Sequence, residues 1–291
     1  MLYTALLGHP VDHSVSPILF QAIANSVGLE YSHLKIDVSR AEDLADCLKA
    51  MSRLNFNGAN VTLPYKLAIM PHCSEVDPLA QKIGAVNSLV FNGDKVSGFN
   101  TDIRGAEMAI KTQLKAVGQT DKVLIIGAGG VARAIAYALA DCCGEMYVIN
   151  QDKRQAETMI RELSLGPKAK AKTLTPLRLQ WFLQQCDVIV NATPVGMYPD
   201  MERRIVPLHN MAQAAQDSDF SKKCFLDAIF NPYKTRFLMD AENFGARVCS
   251  GTYMMIFQAL AAFELWTGFK PPANLSVDHL NTRMIQAVKL L

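Results

Sequence analysis

The stretch that most constrains this chain is KVLIIGAGGVARAIAYALA, Lys122 to Ala140. Val123 to Ile126 is a short, β-branched apolar run of the kind that forms a strand buried on both faces. The pattern breaks at Gly127-Ala128-Gly129-Gly130. From Val131 the apolar spacing then lengthens to steps of three and four through Ile135, Ala138 and Leu139, which predicts a helix. A strand, a glycine turn and a helix in succession aim unpaired backbone N–H groups and a positive dipole end at one point, where a pyrophosphate can sit. An ordinary tight βα turn is the alternative. Two features favour a dinucleotide: the glycines fit G-x-G-x-x-A, with Ala132 small enough for close helix packing, and a second strand, Glu145 to Asn150, ends where a ribose-reading residue belongs. The cofactor candidates here are Gly127, Ala128, Gly129, Gly130 and Val131 in the turn, and Asn150, Gln151 and Asp152 after the second strand.

The 291 residues suffice for two domains, and 50% hydrophobic against 19% charged residues is a soluble globular balance. Lys plus Arg number 29 and Asp plus Glu 27, so no basic excess points to nucleic acid. Met1 to Gly8 lacks a charged leader before its apolar residues, and no apolar run reaches spanning length, so the expectation is a cytoplasmic protein with no membrane partner. The seven cysteines are odd in number and never spaced C-x-x-C, which suits small buried hydrophobes in a reducing compartment. The six histidines show no ligand spacing, so no metal is expected, and His13, beside two serines, is the one that stands out.

In chain order, Leu2 to Leu7 reads as a strand, followed by a helix with Ser16 as N-cap, Pro17 in first position and Gly28 as its stop. Capping does not account for Ser14, a second hydroxyl on the same loop. Tyr31 to Val38 alternates as a half-buried strand, with Leu34, Ile36 and Val38 inward. Ser39-Arg40-Ala41-Glu42 reads as a capping box before a helix with Leu44, Cys47, Leu48, Met51 and Leu54 on one face. Two such βα units imply an α/β layer with mostly parallel strands. In Asn60-Val61-Thr62-Leu63-Pro64-Tyr65-Lys66 a short strand ends at Thr62, and Pro64 begins a helix. Lys66 then lies in its first turn, where a helix dipole disfavours a cation and readies it to release a proton; a solvated surface lysine is the alternative. Asp77-Pro78 starts a short helix ending near Gly84, and Asn92-Gly93-Asp94 is a hairpin turn between Val86–Phe91 and Lys95–Phe99. Asp102 stands at the N-cap place of the next helix, where it either caps or acts. Beyond Gly118, strands are expected at Lys122–Ile126, Glu145–Asn150, Asp187–Asn191 and Lys223–Ile229, with the tips Asn191-Ala192-Thr193 and Asp227-Ala228 at their ligand-binding ends. Tyr253 to Trp266 is an apolar helix interrupted by Gln258, and a last helix follows Ser276.

Ser14-Val15-Ser16-Pro17, the Asn60 to Lys66 motif, Gly84-Ala85-Val86-Asn87-Ser88, Gly98-Phe99-Asn100-Thr101-Asp102, the glycine turn, Asn191-Ala192-Thr193 and Gln258-Ala259 together resemble the shikimate dehydrogenase family, in order and over nearly the whole chain. The resemblance implies a two-domain α/β enzyme that reduces 3-dehydroshikimate to shikimate with NAD(P), acting in a cleft between domains. It assigns residues 1–102 to a substrate-binding and catalytic domain and 103–250 to a Rossmann-type doubly wound dinucleotide-binding domain. Residues 251–291 are then C-terminal helices that return to the first. It makes Lys66 and Asp102 the catalytic pair, places Ser14 and Ser16 at the substrate carboxylate, and Thr62, Asn87 and Gln258 at the ring. It also puts Ala192, Thr193, Ala228, Gly251 and Met254 beside the cofactor.

Two positions depart from the family. Asn150-Gln151-Asp152-Lys153-Arg154 replaces the family's Asn-Arg-Thr; a carboxylate near the ribose repels a 2′-phosphate and favours NAD, whereas the family's habit is NADP. Phe230 stands where the family has a tyrosine reaching the substrate carboxylate, with Tyr233 and Tyr253 near it in sequence, which implies a raised KM or a somewhat different acid. The rival readings are a quinate/shikimate dehydrogenase and a dinucleotide-binding sensor without turnover; the expected state is monomer or homodimer.

Overall fold

The computed structural model describes residues 1–272 and 275–288. Their contacts divide into two compact units, residues 1–102 with those from 256 onward, and residues 103–255. The first unit contains β1 (Leu2–Gly8), α1 (Ser16–Ser26), β2 (Tyr31–Asp37), α2 (Leu44–Arg53), β3 (Gly58–Val61), β4 (Glu75–Val76), α3 (Pro78–Ile83), β5 (Ser88–Asn92) and β6 (Lys95–Phe99). Then follow α4 (Asp102–Ala109), with a π turn at Ile110–Leu114, β7 (Lys122–Ile126), α5 (Gly130–Ala140), β8 (Glu145–Asn150), α6 (Lys153–Glu162), β9 (Ala169–Thr173), α7 (Pro176–Gln185), β10 (Val188–Asn191), α8 (Leu208–Asp217), β11 (Cys224–Asp227), α9 (Arg236–Asn243) and β12 (Arg247–Cys249). The chain ends with α10 (Gly251–Thr267) and α11 (Val277–Val288). The expected return at residue 251 falls five residues later, inside α10. The Gly251 N–H donates to the Ile229 carbonyl at 3.2 Å, which ties the first turn of this helix to the second unit. Residues 273, 274 and 289–291 of the expected C-terminal segment lie outside the described residues.

The first unit holds a six-stranded sheet in the order β2-β1-β3-β5-β6-β4. β1, β2 and β3 run parallel, and the hairpin β5-β6 returns antiparallel to β3, with Asn60 opposite Ser88 and Ser88 opposite Phe99. Four strand ends therefore meet at one sheet edge: the C-terminal ends of β1, β3 and β6 and the start of β5. One face packs Ala5, Leu7, Ala59, Val61 and Leu89 against Leu44, Leu48 and Met51 of α2. On the other, Trp266 of α10 lies so close to β3 that a Cβ on Gly58 would come within 2.1 Å of its ring, and its Nε1–H donates to the Leu89 carbonyl at 2.8 Å. Only glycine admits that approach.

Several local expectations are not met. Leu34 is 44% exposed, because the α2 cluster reaches Ile36 but not Leu34 on this edge strand. The strand's buried residues are instead Tyr31 and His33, on the α10 face. Leu54 is exposed just past the end of α2. The capping box does not form: a 3-10 turn at Ala41–Asp43 precedes α2, and Arg40 pairs with Asp43. Ser16 is the first helical residue of α1 rather than its cap, Val15 occupies that place, and the Ser16 hydroxyl takes a bond from Ser14.

The second unit is a doubly wound parallel sheet, β12-β11-β10-β7-β8-β9. Leu124, Ile126, Ile149, Ile189 and Phe225 pack on α7, α8 and α9 through Leu183, Met211 and Phe237. The alternate residues Val123, Ile125 and Val148 are equally buried, so these strands are covered on both faces. Thr175 caps α7, accepting from Arg178 N, as its Thr-Pro start predicts. β9 and β12 join as edge strands that the sequence pattern does not show: one is lysine-rich, the other three residues long.

His33 is a buried group without a charge partner. Its Nδ1 is 2.7 Å from Thr4 Oγ1, which also bonds the Tyr31 hydroxyl, and its ring stacks near Phe20 and Trp266. Burial pushes its pKa down to about 3 and the Tyr31 pKa up. Because the folded protein holds His33 neutral where the unfolded chain protonates it, the protein loses stability relative to a variant without the imidazole as pH falls below about 6.5. The difference in unfolding free energy between wild type and His33→Leu is expected to move against wild type by about 1.4 kcal/mol per pH unit over that range. Denaturant titrations at pH 7, 6, 5 and 4 check this, and a pH-independent difference refutes it.

Candidate active site

Of the residues singled out from sequence, the structure brings Lys66, Asp102, Asn87 and Gln258 into one hydrogen-bonded cluster at the edge where β1, β3 and β6 end and β5 begins. Lys66 Nζ donates to Asp102 Oδ2 at 2.6 Å, and the side chains are only 13% and 7% exposed. The other carboxylate oxygen, Oδ1, accepts from Asn87 Nδ2 at 2.8 Å. A carboxylate removed from water must have its lone pairs met, and here an ammonium and an amide meet one oxygen each.

The Asn87 amide cannot be reversed. Its Oδ1 accepts from the Thr101 backbone N–H at 2.7 Å, a donor that cannot become an acceptor, so Nδ2 must face Asp102. Gln258 Oε1 lies within reach of Asn87 Nδ2 (3.4 Å) and of Thr101 Oγ1 (3.3 Å), and Ser88 Oγ donates to Asn87 Oδ1 at 3.1 Å. The Asp102 N–H donates to Asn100 Oδ1 at 3.0 Å, so Asn100, not Asp102, serves the start of α4. The Asp102 side chain thus does not cap the helix and is left to the lysine.

Lys66 reaches Asp102 from a series of turns, not from a helix. Tyr65 and Ile69 are buried, and the Lys66 carbonyl accepts from Val86 N at 2.8 Å, a partner twenty residues away that replaces the i+4 donor a helix requires. The dipole argument for Lys66 therefore has no helix to act through. Its setting is the Asp102 ion pair instead.

Ser14 and Ser16 form their own buried pair after β1, with 3.0 Å between hydroxyls. Thr62 follows β3 and lies half-buried. Its methyl sits 2.3 Å from where a Cβ on Gly8 would be, so glycine at the end of β1 makes room for it.

In the second unit, the strand order reverses between β7 and β10, and open α/β sheets bind ligands at such a point. Gly127 leaves β7 with φ +113°, and a Cβ there would lie 2.9 Å from the Ala192 carbonyl. Gly129 precedes α5 with no side-chain cap on the helix N–H groups, and nothing lies within 4 Å of where its Cβ would be. The turn thus offers an uncovered helix start lined by glycine backbone, which fits a pyrophosphate. Asp152 caps α6, accepting from Arg154 N at 2.9 Å, and Asn150 Nδ2 bonds Gln155 Oε1 at 2.8 Å. A Cβ on Gly251 would come within 2.5 Å of the Ala228 and Ile229 carbonyls. Met254 is buried in α10, while Ala192, Thr193, Ala228 and Phe230 are half-buried in the loops after β10 and β11.

Asp227, at the end of β11, is the polar group the sequence reading placed at a strand tip without giving it a role. Burial pushes its pKa up to about 7 against the pull of hydrogen bonds from Thr235, Ile229 N and Asn191. The signal was an aspartate closing an apolar strand, Cys224-Phe225-Leu226-Asp227. Among the described residues no group of His, Cys, Asp and Glu is placed to hold a metal ion, and no helix is long and apolar enough to cross a membrane.

A doubly wound domain with a glycine turn at its switch point, together with a buried lysine–aspartate pair, defines a dinucleotide-dependent α/β oxidoreductase. Residues 6–89 match the shikimate dehydrogenase substrate binding domain, 109–232 the shikimate / quinate 5-dehydrogenase family and 251–275 the shikimate 5'-dehydrogenase C-terminal domain. The shikimate dehydrogenase (NADP(+)) of Methanopyrus kandleri is 38% identical over 93% of this chain and 91% of its own. Shikimate 5-dehydrogenase from Thermus thermophilus, solved with NADP(H) and shikimate, superposes with a TM-score of 0.81 at 33% identity, covering 100% of this chain and 99% of that one. Quinate dehydrogenase from Corynebacterium glutamicum, solved with NAD, gives 0.82 at 28% identity over 98% and 99%. The chain belongs to the shikimate dehydrogenase family.

Proposed function

We propose that this protein interconverts 3-dehydroshikimate and shikimate, with Lys66 as the group that exchanges a proton with the substrate oxygen and Asp102 as its fixed partner. The observation that carries the reading is the 2.6 Å contact between the partly buried Lys66 and the buried Asp102 at the sheet edge where four strand ends converge. Lys66 donates its proton to the carbonyl oxygen as it becomes a hydroxyl, and takes it back in the reverse direction. Asp102 keeps the ammonium aimed, and Asn87 keeps Asp102 from turning. The Ser14 and Ser16 hydroxyls bind the substrate carboxylate. Thr62, Asn87 and Gln258 contact the ring hydroxyls. Residues 1–102 and those from 256 onward form the substrate domain, and 103–255 the cofactor domain.

When bound, a nicotinamide dinucleotide supplies or accepts the hydride. Gly127 to Val131 hold its pyrophosphate through backbone N–H groups, and Asn150, Gln151 and Asp152 meet the adenosine ribose. Ala192, Thr193, Ala228, Gly251 and Met254 border the nicotinamide half. We favour NAD: a carboxylate at Asp152 accepts hydrogen bonds from free ribose hydroxyls and repels a phosphate, although relatives carry NADP(+) in their names. A quinate/shikimate dehydrogenase is the second reading, favoured by the same Asp152 and by the likeness to the NAD-bound quinate enzyme.

Initial rates of reduced-nicotinamide formation, with shikimate and quinate each paired with NAD and NADP, test both readings. Shikimate turnover faster with NAD is expected. Lys66→Met is expected to lower kcat about 10²- to 10⁴-fold while dinucleotide binding, followed by fluorescence, stays within a few-fold of wild type. Turnover that survives this change removes Lys66 from the mechanism. Phe230→Tyr restores the phenol that the family places near the carboxylate, and KM for shikimate is expected to fall at least about twofold; an unchanged KM refutes a role for position 230.

A further inference from the structure

Asp227 and Asn191 are the last residues of β11 and β10 and stand directly opposite each other in the parallel ladder. Asn191 Nδ2 donates to both carboxylate oxygens of Asp227, at 3.1 and 3.2 Å. Asp227 also accepts from Thr235 Oγ1 at 2.6 Å and from the Ile229 N–H at 3.0 Å, and it has no exposed surface. Because the carboxylate draws the NH₂ side of the asparagine to itself, Asn191 Oδ1 is turned the other way. There it accepts from Thr193 N (3.1 Å) and Thr193 Oγ1 (2.7 Å). The Ala192 carbonyl in the same loop packs where a Cβ on Gly127 would be, and the Ala228 and Ile229 carbonyls pack where one on Gly251 would be.

We infer that Asp227 is a positioning residue for the cofactor: it fixes the Asn191 amide and so sets the loops 192–195 and 228–231 against Gly127 and Gly251. The inference rests on the proposal that these loops border a nicotinamide dinucleotide. Asp227 touches no reacting atom. Its effect passes through the orientation of a neighbouring amide, which makes that effect reversible by exchange.

In Asp227→Asn, an NH₂ group takes the place of one of the two oxygens that Asn191 Nδ2 faces, so donor meets donor there, one of the two bonds that hold the Asn191 amide is lost, and its acceptor is held less firmly toward Thr193. The double variant Asp227→Asn with Asn191→Asp exchanges the two roles: residue 191 then accepts from residue 227 and still accepts from Thr193. The expected result is a rise of about tenfold in KM and Kd for the dinucleotide in Asp227→Asn, with kcat changed less than about threefold. Recovery to within about threefold of wild type is expected in the double variant. Cofactor constants unchanged in Asp227→Asn, or a double variant as impaired as the single one, overturn the inference. Should Asp227→Asn fail to fold, by circular dichroism, Asn191→Ala removes the amide through which Asp227 acts. A rise in dinucleotide KM with kcat held supports the positioning role, and unchanged constants overturn it. Wild-type protein that binds neither NAD nor NADP fluorimetrically refutes the cofactor reading itself, a failure distinct from normal binding that does not respond to Asp227.

Discussion

A buried carboxylate must have its oxygens met by donors, and each unit of this protein is built around one that is. Asp102 and Asp227 both stand at the C-terminal side of a strand, where backbone hydrogen bonding ends and side chains must take over. Each recruits an asparagine amide from a neighbouring strand: Asn87, just before β5, serves Asp102, and Asn191 in β10 serves Asp227. In both cases a backbone N–H on the far side of the amide, that of Thr101 or Thr193, fixes which end is the donor. Leaving any one of these groups unpaired costs about 1–3 kcal/mol, more where it is charged. The arrangement is therefore satisfied as a whole or not at all, and it sets the positions of the loops around it.

The two carboxylates differ in their neighbours, and that difference matches the two roles proposed for them. Asp227 meets only neutral donors, so burial acts on it unopposed by any opposite charge and its pKa climbs to about 7. Asp102 has an ammonium at 2.6 Å. An ion pair of this kind is costly to assemble in a dry setting and contributes little net stability, which makes it a poor structural device and a suitable place for proton exchange.

How much of this was legible in the sequence follows the range of the forces involved. The glycine turn, β7, β8, the helix start at Asp77 and the hairpin at Gly93 depend on residues within a few positions of each other, and they are as read. Two of the misreadings come from distant partners, and that of Ser16 from a near one. A helix at Pro64 is sound locally, yet the Lys66 carbonyl is taken by Val86. Ser16 suits a cap, yet its hydroxyl is claimed by Ser14. Leu34 alternates as a core residue should, yet α2 does not extend over it. The site itself was named through its family motif, because nothing short-range joins Lys66 to Asp102 across 36 positions. The Asn87 amide shows the limit of that route: a motif places the residue at the site, but only the contacts reveal that its NH₂ already serves Asp102 and Thr101.

The geometry also divides the labour within the proposed catalytic pair. Asp102 is fixed at three points: its backbone by α4 and by Asn100, one oxygen by Asn87, the other by Lys66. Lys66 shares that last contact and is otherwise held at its backbone, where its carbonyl meets Val86 and nearby Tyr65 and Ile69 are buried, while its ammonium stands at the end of a four-carbon stem. A group that must reach a substrate oxygen and return needs such a stem, and it needs a partner that does not follow it. Exchanging the two would place the flexible group where the helix start, the asparagine and the strand end hold everything still. The sequence puts the lysine in turns and the aspartate at the head of a helix for the same physical reason: one has to move, and the other has to stay.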